Sequence, residues 1–284
     1  MAGTLFVVAT PIGNLEDISA RAIRVLREVA LIAAEDTRRT GHLLQRFGLT
    51  TRTISFHEHS EKGKAPDLIG RLKSGESVAL VSDAGTPTLS DPGAHLVHLA
   101  HEAGIRVEPI PGPCAAVSAV SVSGFGPGGF VFLGFPPTMA TDREAWFGRF
   151  SSAAACAPTV VFYEAPHRIR QTLDELHGRF GGLEVLLARE LTKVHEEIVL
   201  TRLGEISIQD PKGEYTVVVN IGQIGETGAT TEAPGADKLI DEFREITKND
   251  NLTRRQAISR LARKYRLNSR EVFSLIEAGK TRGV

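Results

Sequence analysis

The chain has 284 residues, 42% apolar and 24% charged, with a formal net charge of −1. These values fit an ordinary globular protein of about two domains and give no chain-wide electrostatic case for nucleic acid. No stretch approaches the ~18 consecutive apolar residues of a membrane span. The cysteines Cys114 and Cys156 form no framework for disulfides or zinc, and MAGTLFVVATPIGN lacks the basic and long apolar regions of a secretory signal, so a cytoplasmic location is expected.

In chain order, Thr4–Ala9 is a short β-rich run that stops at Pro11-Ile12-Gly13-Asn14, a buried strand feeding a tight loop. Ser19 is placed to cap a helix with the apolar face Ala22, Val25, Leu26 and Val29. Leu31–Ala34 reads as a second strand that ends in Glu35-Asp36-Thr37-Arg38-Arg39. A helix over Thr40–Phe47 follows, stopped by Gly48. Ile54–Phe56 is a third strand before His57-Glu58-His59, and a helix covers Ala65–Leu72. Ser77–Val81 is a fourth strand that runs into Ser82-Asp83-Ala84-Gly85-Thr86-Pro87 and Ser90-Asp91-Pro92-Gly93. Then come a helix over Gly93–Ala103, the strand Arg106–Ile110 and the turn Pro111-Gly112-Pro113. Strands alternating with helices imply a mostly parallel α/β sheet, with ligands held where its strands end.

Beyond Gly124 the strands Phe130–Gly134, Thr159–Tyr163, Glu184–Ala188, Glu197–Thr201 and Tyr215–Asn220 predict a second domain that is α+β or built on a mixed sheet. The spacing divides the chain into 1–118, 119–225 and a helical tail, 237–284, behind the linker 222–234. In the tail, Thr253 with Gln256 makes a capping box, and Ile258, Leu261, Ala262 and Tyr265 form a stripe at helical spacing. Asn268 with Glu271 repeats the start, giving a helix-turn-helix-like pair. From Asp250 to Val284 there are nine Lys/Arg and three Asp/Glu, a net +6 that leaves −7 on the rest of a chain totalling −1. That asymmetry points to an anionic partner for the tail.

Gly124, Gly126 and Gly129 fit G-x-G-x-x-G but precede a strand and enclose Pro127, so they read as a hinge and not a dinucleotide site; no phosphate-binding P-loop occurs. The small residues of Ser82–Pro87, with Ser90-Asp91-Pro92-Gly93, would let a ligand approach the backbone, and Asp83 could orient an amine or cap the next turn. Pro111–Ala116 exposes amides at a helix start, where a carboxylate is welcome. Tyr163–Arg168, Glu190–Lys193 and His195–Glu197 bring acids, bases and cations to strand ends, as an acid–base site requires. His57, His59, His167 and His195 have no diagnostic metal-ligand spacing, and no metal is expected.

Several motifs in order then resemble one family. VATPIGNLEDIS (8–19), AAEDTR (33–38), SFHEH (55–59), LVSDAGTPTLSDPG (80–93), PIPGPCAA (109–116), FLGFPP (132–137), FYEAPHR (162–168), ARELTKVHEE (188–197) and GEYTVVV (213–219) are similar to the ribosomal RNA small subunit methyltransferase I family, within the tetrapyrrole (class III) methylases. The resemblance implies a two-domain α/β methylase, usually a homodimer, that uses S-adenosyl-L-methionine. Its implied substrate is a ribose 2′-hydroxyl of a decoding-region cytidine in small-subunit (16S) ribosomal RNA. Carried onto this chain, the cofactor would touch Pro11, Asp83, Ala84, Gly85, Thr86, Pro113, Ala115, Ala116, Leu133, Leu191 and Tyr215. Cys114 departs from the Ser expected there, and a thiol is a weaker hydrogen-bond partner.

A 2′-hydroxyl is a weak nucleophile, so a base should take its proton; the candidates are Glu164, His167, Lys193 and Glu196. Glu35, Asp36 and Arg38 would shape the RNA side, and Arg38, Arg39, Arg168, Arg254, Arg255 and Arg263 are candidate phosphate contacts. The competing readings are another class III methylase, acting on a tetrapyrrole or a diphthine-type substrate, and a non-catalytic RNA-binding module.

Overall fold

A computed structural model describes residues 2–125, 128–222 and part of the segment 239–276. The chain forms two compact units, Met1–Ile224 and Gly225–Val284.

The first unit begins with five parallel strands: β1 (Thr4–Val8), β2 (Leu31–Ala34), β3 (Thr53–Ser55), β4 (Val78–Val81) and β5 (Arg106–Ile110), in the spatial order β3-β2-β4-β1-β5. Every residue of β2 and β4 is buried, as in parallel strands covered on both faces. Ala22, Val25 and Leu26 of α1 (Ala20–Glu28), with Leu43 and Leu44 of α2 (Thr37–Arg46), pack into one core cluster with the sheet. Leu68 and Leu72 of α3 (Glu58–Lys73), with Leu96 and Ala100 of α4 (Ala94–Glu102), pack into the other. Pro109 sits in β5, an edge strand, where a missing N–H is tolerated.

The Ser19 hydroxyl accepts the Ala22 amide at 3.1 Å, so the expected cap of α1 forms. Two helices start earlier than their apolar spacing predicts. α2 begins at Thr37, because the Asp36 carboxylate accepts the Arg38 amide at 2.8 Å; the charged run after β2 is therefore the helix's first turn. α3 begins at Glu58, where Ser60 Oγ accepts the His57 amide at 3.0 Å, and it runs through Pro66.

The second half carries β6 (Phe130–Phe132), β7 (Thr159–Glu164), β8 (Glu184–Arg189), β9 (Glu197–Arg202) and β10 (Tyr215–Asn220), in the order β6-β7-β10-β8-β9. Only the β6–β7 pair is parallel, so the mixed sheet expected from the sequence is present. Two helices that the strand-based reading left out, α6 (Ala140–Ala153) and α7 (Ile169–Phe180), join its core through Trp146, Phe150, Leu173 and Leu176. Both begin at residues whose side chains make no cap, Met139 and Arg168, so the usual start signal is missing.

Helix α5 (Ala115–Ser123) runs through residue 118, where the sequence spacing divides the chain, and its Ala116 and Ala119 pack on Val161, Leu186, Ala188 and Val218 of the second sheet. The helix that leaves the first sheet is thus a layer of the second, which joins both halves in one unit. Gly124 ends it in the left-handed conformation, at φ +70°.

In the second unit, Leu239, Phe243, Ala257, Ile258, Leu261, Val272 and Ile276 form a buried cluster. Gln256 Oε1 accepts the Thr253 amide at 2.9 Å and the Gln256 amide donates to Thr253 Oγ1 at 3.4 Å, the expected capping box. Ala262 and Tyr265 of the expected stripe, and the linker beyond Gly222, lie outside the described residues.

Candidate functional site

The carboxyl ends of β1, β4 and β5 in the first sheet and of β6 and β7 in the second, with the start of β10, border a cavity of about 420 Å³. That size lies within the ~300–1,000 Å³ typical of small-molecule sites. Its first wall is built by loops locked to each other. Thr10 and Gly85 exchange backbone hydrogen bonds of 2.8 and 3.0 Å, and the Thr86 hydroxyl donates to the Pro113 carbonyl at 3.1 Å. Gly85 holds φ +79°, a conformation that only glycine adopts without strain, with Ile12 3.4 Å from where a Cβ would stand.

Acids dominate this wall. Glu35 Oε2 accepts the Asp83 amide at 3.1 Å, and Asp83 Oδ1 accepts the Asp36 amide at 2.9 Å while Oδ2 lies 3.5 Å from Arg39. Asp91, in the same wall, is pushed up to about 6, chiefly by burial, with Glu35 and Asp83 adding negative charge nearby and a hydrogen bond with Ser82 opposing the rise.

The facing wall carries Phe135, Tyr163, Glu164 and Tyr215. The Tyr163 hydroxyl accepts the Ala116 amide at 3.2 Å, and its ring meets Phe132 and Phe135 at 4.8 and 5.4 Å. Burial, with the neighbouring Cys114, raises the phenol far above its ordinary value, so it stays protonated. The walls also meet outside the cavity. Thr192 Oγ1 accepts the Asn14 amide at 3.0 Å, and a Cβ on Gly13 would stand 2.4 Å from Lys193 Cγ and 2.9 Å from the Leu191 carbonyl. Among the described residues, the non-glycine positions with positive φ are Thr88 and Ser90 after β4 and Glu190 and Thr192 after β8, so backbone strain is stored in loops around the site.

Of the residues expected to hold a cofactor, Asp83, Ala84, Gly85, Thr86, Ala115 and Tyr215 line the cavity. Pro113 and Ala116 support it through the bonds to Thr86 and Tyr163. Pro11 is buried, Leu191 packs in the cluster around α5, and Leu133 packs on the second core with its carbonyl accepting the Trp146 indole N–H at 3.3 Å. Ile12, Leu89 and Phe135 line the cavity without having been expected there, while Ser90, Asp91 and Tyr163 belong to the stretches 90–93 and 163–168 that the sequence marks. Ser90 and Asp91 stand in a turn as rich in small and acidic residues as Ser82–Pro87, which was the signal available.

Of the four candidate bases, only Glu164 reaches the cavity, and its carboxylate is fully engaged. Oε1 lies 2.7 Å from Arg168 and accepts the Ala165 amide at 2.8 Å; Oε2 accepts the Thr172 hydroxyl at 2.6 Å. Arg143 donates to that same Thr172 oxygen and pairs with Glu175, extending the network. Lys193 stands 2.8 Å from Glu190 and 3.1 Å from Glu214; burial acts to lower it, but these two partners outweigh burial and raise it, so it is held as a cation. Glu196 accepts the Thr192 amide at 2.6 Å and His167 is exposed in the turn after β7.

The expected phosphate contacts also divide. Arg38 is 86% exposed and pairs with Asp36 at 2.7 Å, holding that carboxyl far below its ordinary range, and Arg39 lines the cavity. Arg168 turns inward instead, bound to Glu164 and, at 2.9 Å, to the Pro136 carbonyl, because a buried carboxylate needs a cation beside it. Arg254 stacks 5.5 Å over Phe273, while Arg255 and Arg263 lie outside the described residues. Among the described residues no three His, Cys, Asp or Glu side chains group as a metal site, and no helix is long and apolar enough to cross a membrane.

Residues 4–207 match the family model for Tetrapyrrole (Corrin/Porphyrin) Methylases. A curated relative from Pseudomonas aeruginosa, named Ribosomal RNA small subunit methyltransferase I, is 52% identical over 245 residues, 84% of this chain and 85% of that protein. One of the same name from Synechocystis is 42% identical over 278 residues, 96% and 97% of the two chains. The chain belongs to the ribosomal RNA small subunit methyltransferase I family.

The fold of this family member recurs in distant solved structures. Diphthine synthase aligns with a TM-score of 0.60 at 17% identity, over 77% of this chain and 90% of that one. Uroporphyrin-III C-methyl transferase from Thermus thermophilus, complexed with S-adenyl homocysteine, aligns with a TM-score of 0.54 at 18% identity, over 79% and 100%. The class III methylase architecture expected from the motifs is thus the one observed.

Proposed function

We propose that this chain transfers a methyl group from S-adenosyl-L-methionine to the ribose 2′-hydroxyl of a cytidine in the decoding region of small-subunit (16S) ribosomal RNA. The observation that carries this reading is the 52% identity, over 84% of the chain, to a relative named for that ribosomal RNA subunit.

The chemistry of the cavity fits such a donor. The carboxylates of Asp83 and Glu35 suit a ligand bearing an ammonium and a sulfonium. Ala84 and Gly85 allow backbone approach, and Ile12, Leu89, Phe135 and Tyr215 offer apolar surface to an aromatic base. Cys114 leaves the start of α5 without a side-chain cap, so its first turn is open to a carboxylate. When bound, the donor supplies an electrophilic methyl carbon. The task left to the protein is to hold the acceptor oxygen in line with it and exclude water, which is mainly positioning.

On the RNA side we assign phosphate contacts to Arg38 and Arg39 and to the tail cations Arg254, Arg255 and Arg263. Deleting 237–284 should weaken binding to the subunit and flatten its salt dependence; an unchanged salt slope counts against the tail. We also assign a cytoplasmic homodimer. Edge strand β9 leaves Ile198, Val199 and Leu200 exposed, a surface suited to a second copy. Leu200→Lys should then shift sedimentation toward the monomer.

The decisive experiment incubates the protein with methyl-labelled donor and small ribosomal subunits lacking ribose methylation, then maps the label. A 2′-O-methylcytidine in the decoding region is expected. Label on a base, on protein or on a tetrapyrrole, or none, refutes the reading.

A further inference from the structure

The methyl acceptor proposed above must lose a proton, and five carboxylates line the cavity: Glu35, Asp83, Asp91, Glu164 and Glu214. A general base must reach the substrate, and its carboxylate must not already be neutralised by a fixed cation. Glu164 is bound by Arg168, Thr172 and a backbone amide. Glu214 pairs with Lys193. Asp83 is held by the Asp36 amide and Arg39, and Glu35 by the Asp83 amide. Asp91 differs in the sum of its partners. Among the described residues no Lys, Arg or His stands within ion-pair distance of it, and no backbone amide binds its carboxylate as the Asp83 amide binds Glu35.

The loop around Asp91 is also shaped for display. Ser90, next to it, is held at φ +68° and Thr88 at φ +72°, while Gly93 at φ +118° presses on Leu80, where a Cβ would stand 2.4 Å from its Cδ2. A left-handed backbone at two non-glycine residues is uncommon and persists where surrounding structure over-determines it. The strain fixes Asp91 between the end of β4 and the start of α4, facing the cavity.

We propose that Asp91 is the catalytic base that takes the proton from the acceptor hydroxyl during methyl transfer. The inference rests on the ribose-methylation reading. As the hydroxyl oxygen forms its bond to the methyl carbon, the carbon–sulfur bond breaks and its electron pair stays on sulfur. The hydroxyl proton passes to the Asp91 carboxylate, which later releases it to water. Positive charge leaves the donor as the acid gains its proton, so the step balances.

The groups that face Asp91 suit the role. Glu35 and Asp83 add negative charge, Tyr163 and Cys114 lie across the cavity, and Arg39, which lines it too, is engaged with Asp83. Burial and the two acids hold the carboxyl at about 6, well above its ordinary value of 3.8. It is therefore mostly ionised at neutral pH and a stronger proton acceptor than an ordinary aspartate.

The test uses the full-length protein, wild type and the variants Asp91→Asn and Asp91→Glu, in single-turnover methylation of subunits lacking ribose methylation from pH 5 to 8. The wild-type rate should rise with pH and level off above about 6. D91N should lose roughly 100-fold or more at pH 7.5, within the ~10²–10⁴ range of general-base catalysis, and its profile should flatten. D91E should recover part of that rate. Calorimetry should give D91N an S-adenosylmethionine affinity within about threefold of wild type. Carbon-13 NMR of aspartate carboxyls in the donor-free protein should show one titrating near 6 that D91N lacks.

D91N retaining its rate within tenfold, losing donor affinity in step with rate, or leaving the NMR titration unchanged overturns the assignment of Asp91. Wild type that places no label on ribose overturns the functional reading itself, and the two failures are told apart by that wild-type control.

Discussion

The two halves that meet at the cavity use their carboxylates in opposite ways. In the second half Glu164, Glu190 and Glu214 each have a cation within 3.1 Å, and Glu196 is tied to a backbone amide. In the first half, among the described residues, Glu35 and Asp91 have no cation within ion-pair distance, and Asp83 meets Arg39 only at 3.5 Å. A paired, buried carboxylate is architecture: its charge is already neutralised and its lone pairs are filled. A carboxylate bound only by amides and hydroxyls keeps its charge for a ligand. The contrast teaches that acid density alone does not locate chemistry, whereas the supply of counter-charge does.

The largest effect should come from breaking the architectural wall. Glu164→Ala leaves the half-buried Arg168 without its carboxylate and the buried Thr172 without its acceptor, and should destabilise the first unit by about 2–4 kcal/mol in urea titrations. A loss below 1 kcal/mol would put Glu164 back among groups held for function. Next is the seam between the walls. Gly13→Ala places a methyl 2.9 Å from the Leu191 carbonyl and 2.7 Å from Thr192 Oγ1, which must move apart. A loss of about 1–3 kcal/mol is expected, as for overpacking.

The ligand-facing wall should respond in binding more than in stability. Asp83→Ala should weaken S-adenosylmethionine about tenfold or more by calorimetry, about 1.4 kcal/mol, while thermal unfolding moves little. A large fall in melting temperature with unchanged affinity would reverse the assignment of the two walls.

The smallest effect sharpens the comparison through pH. Asp91 has a folded value of about 6 against an ordinary 3.8, so folding favours its protonated form. That contribution is present below about 4 and is lost as pH rises through about 6. Asn mimics the neutral acid. Asp91→Asn should match wild type in stability at pH 4 and exceed it at pH 8 by about 1 kcal/mol, a figure discounted because the residue is only half-buried. Equal stabilities at both pH values would mean that ionising Asp91 costs the fold nothing.

Much of the site could be read from the chain because it lies at strand ends. Asp83–Thr86 and Ala115 were legible since small and acidic residues directly after a buried apolar run have few structural uses. Phe135 was not, because an aromatic after a strand reads equally as core, and Tyr163 was marked only within the acid–base run 163–168; the meeting of the two sheets turns both toward the cavity. Helices α6 and α7 escaped for a local reason: neither starts at a capping side chain. The start of α3 escaped because Gly63 and Pro66 interrupt its apolar pattern while packing holds the helix through them.

By itself the sequence determined the alternation of buried strands and polar loops, the caps at Ser19 and Thr253, the mixed second sheet and the family motifs. Each of these is a property of neighbours a few residues apart, where hydrogen-bond reach and side-chain period decide. Tertiary structure alone decided which helix belongs to which sheet and which carboxylate meets a cation. Arg168 lies four residues from Glu164, yet its role follows from the burial of that glutamate under α7. Asp91 is set apart by what does not approach it, because electrostatic state depends on every charge nearby in space, whatever its distance along the chain.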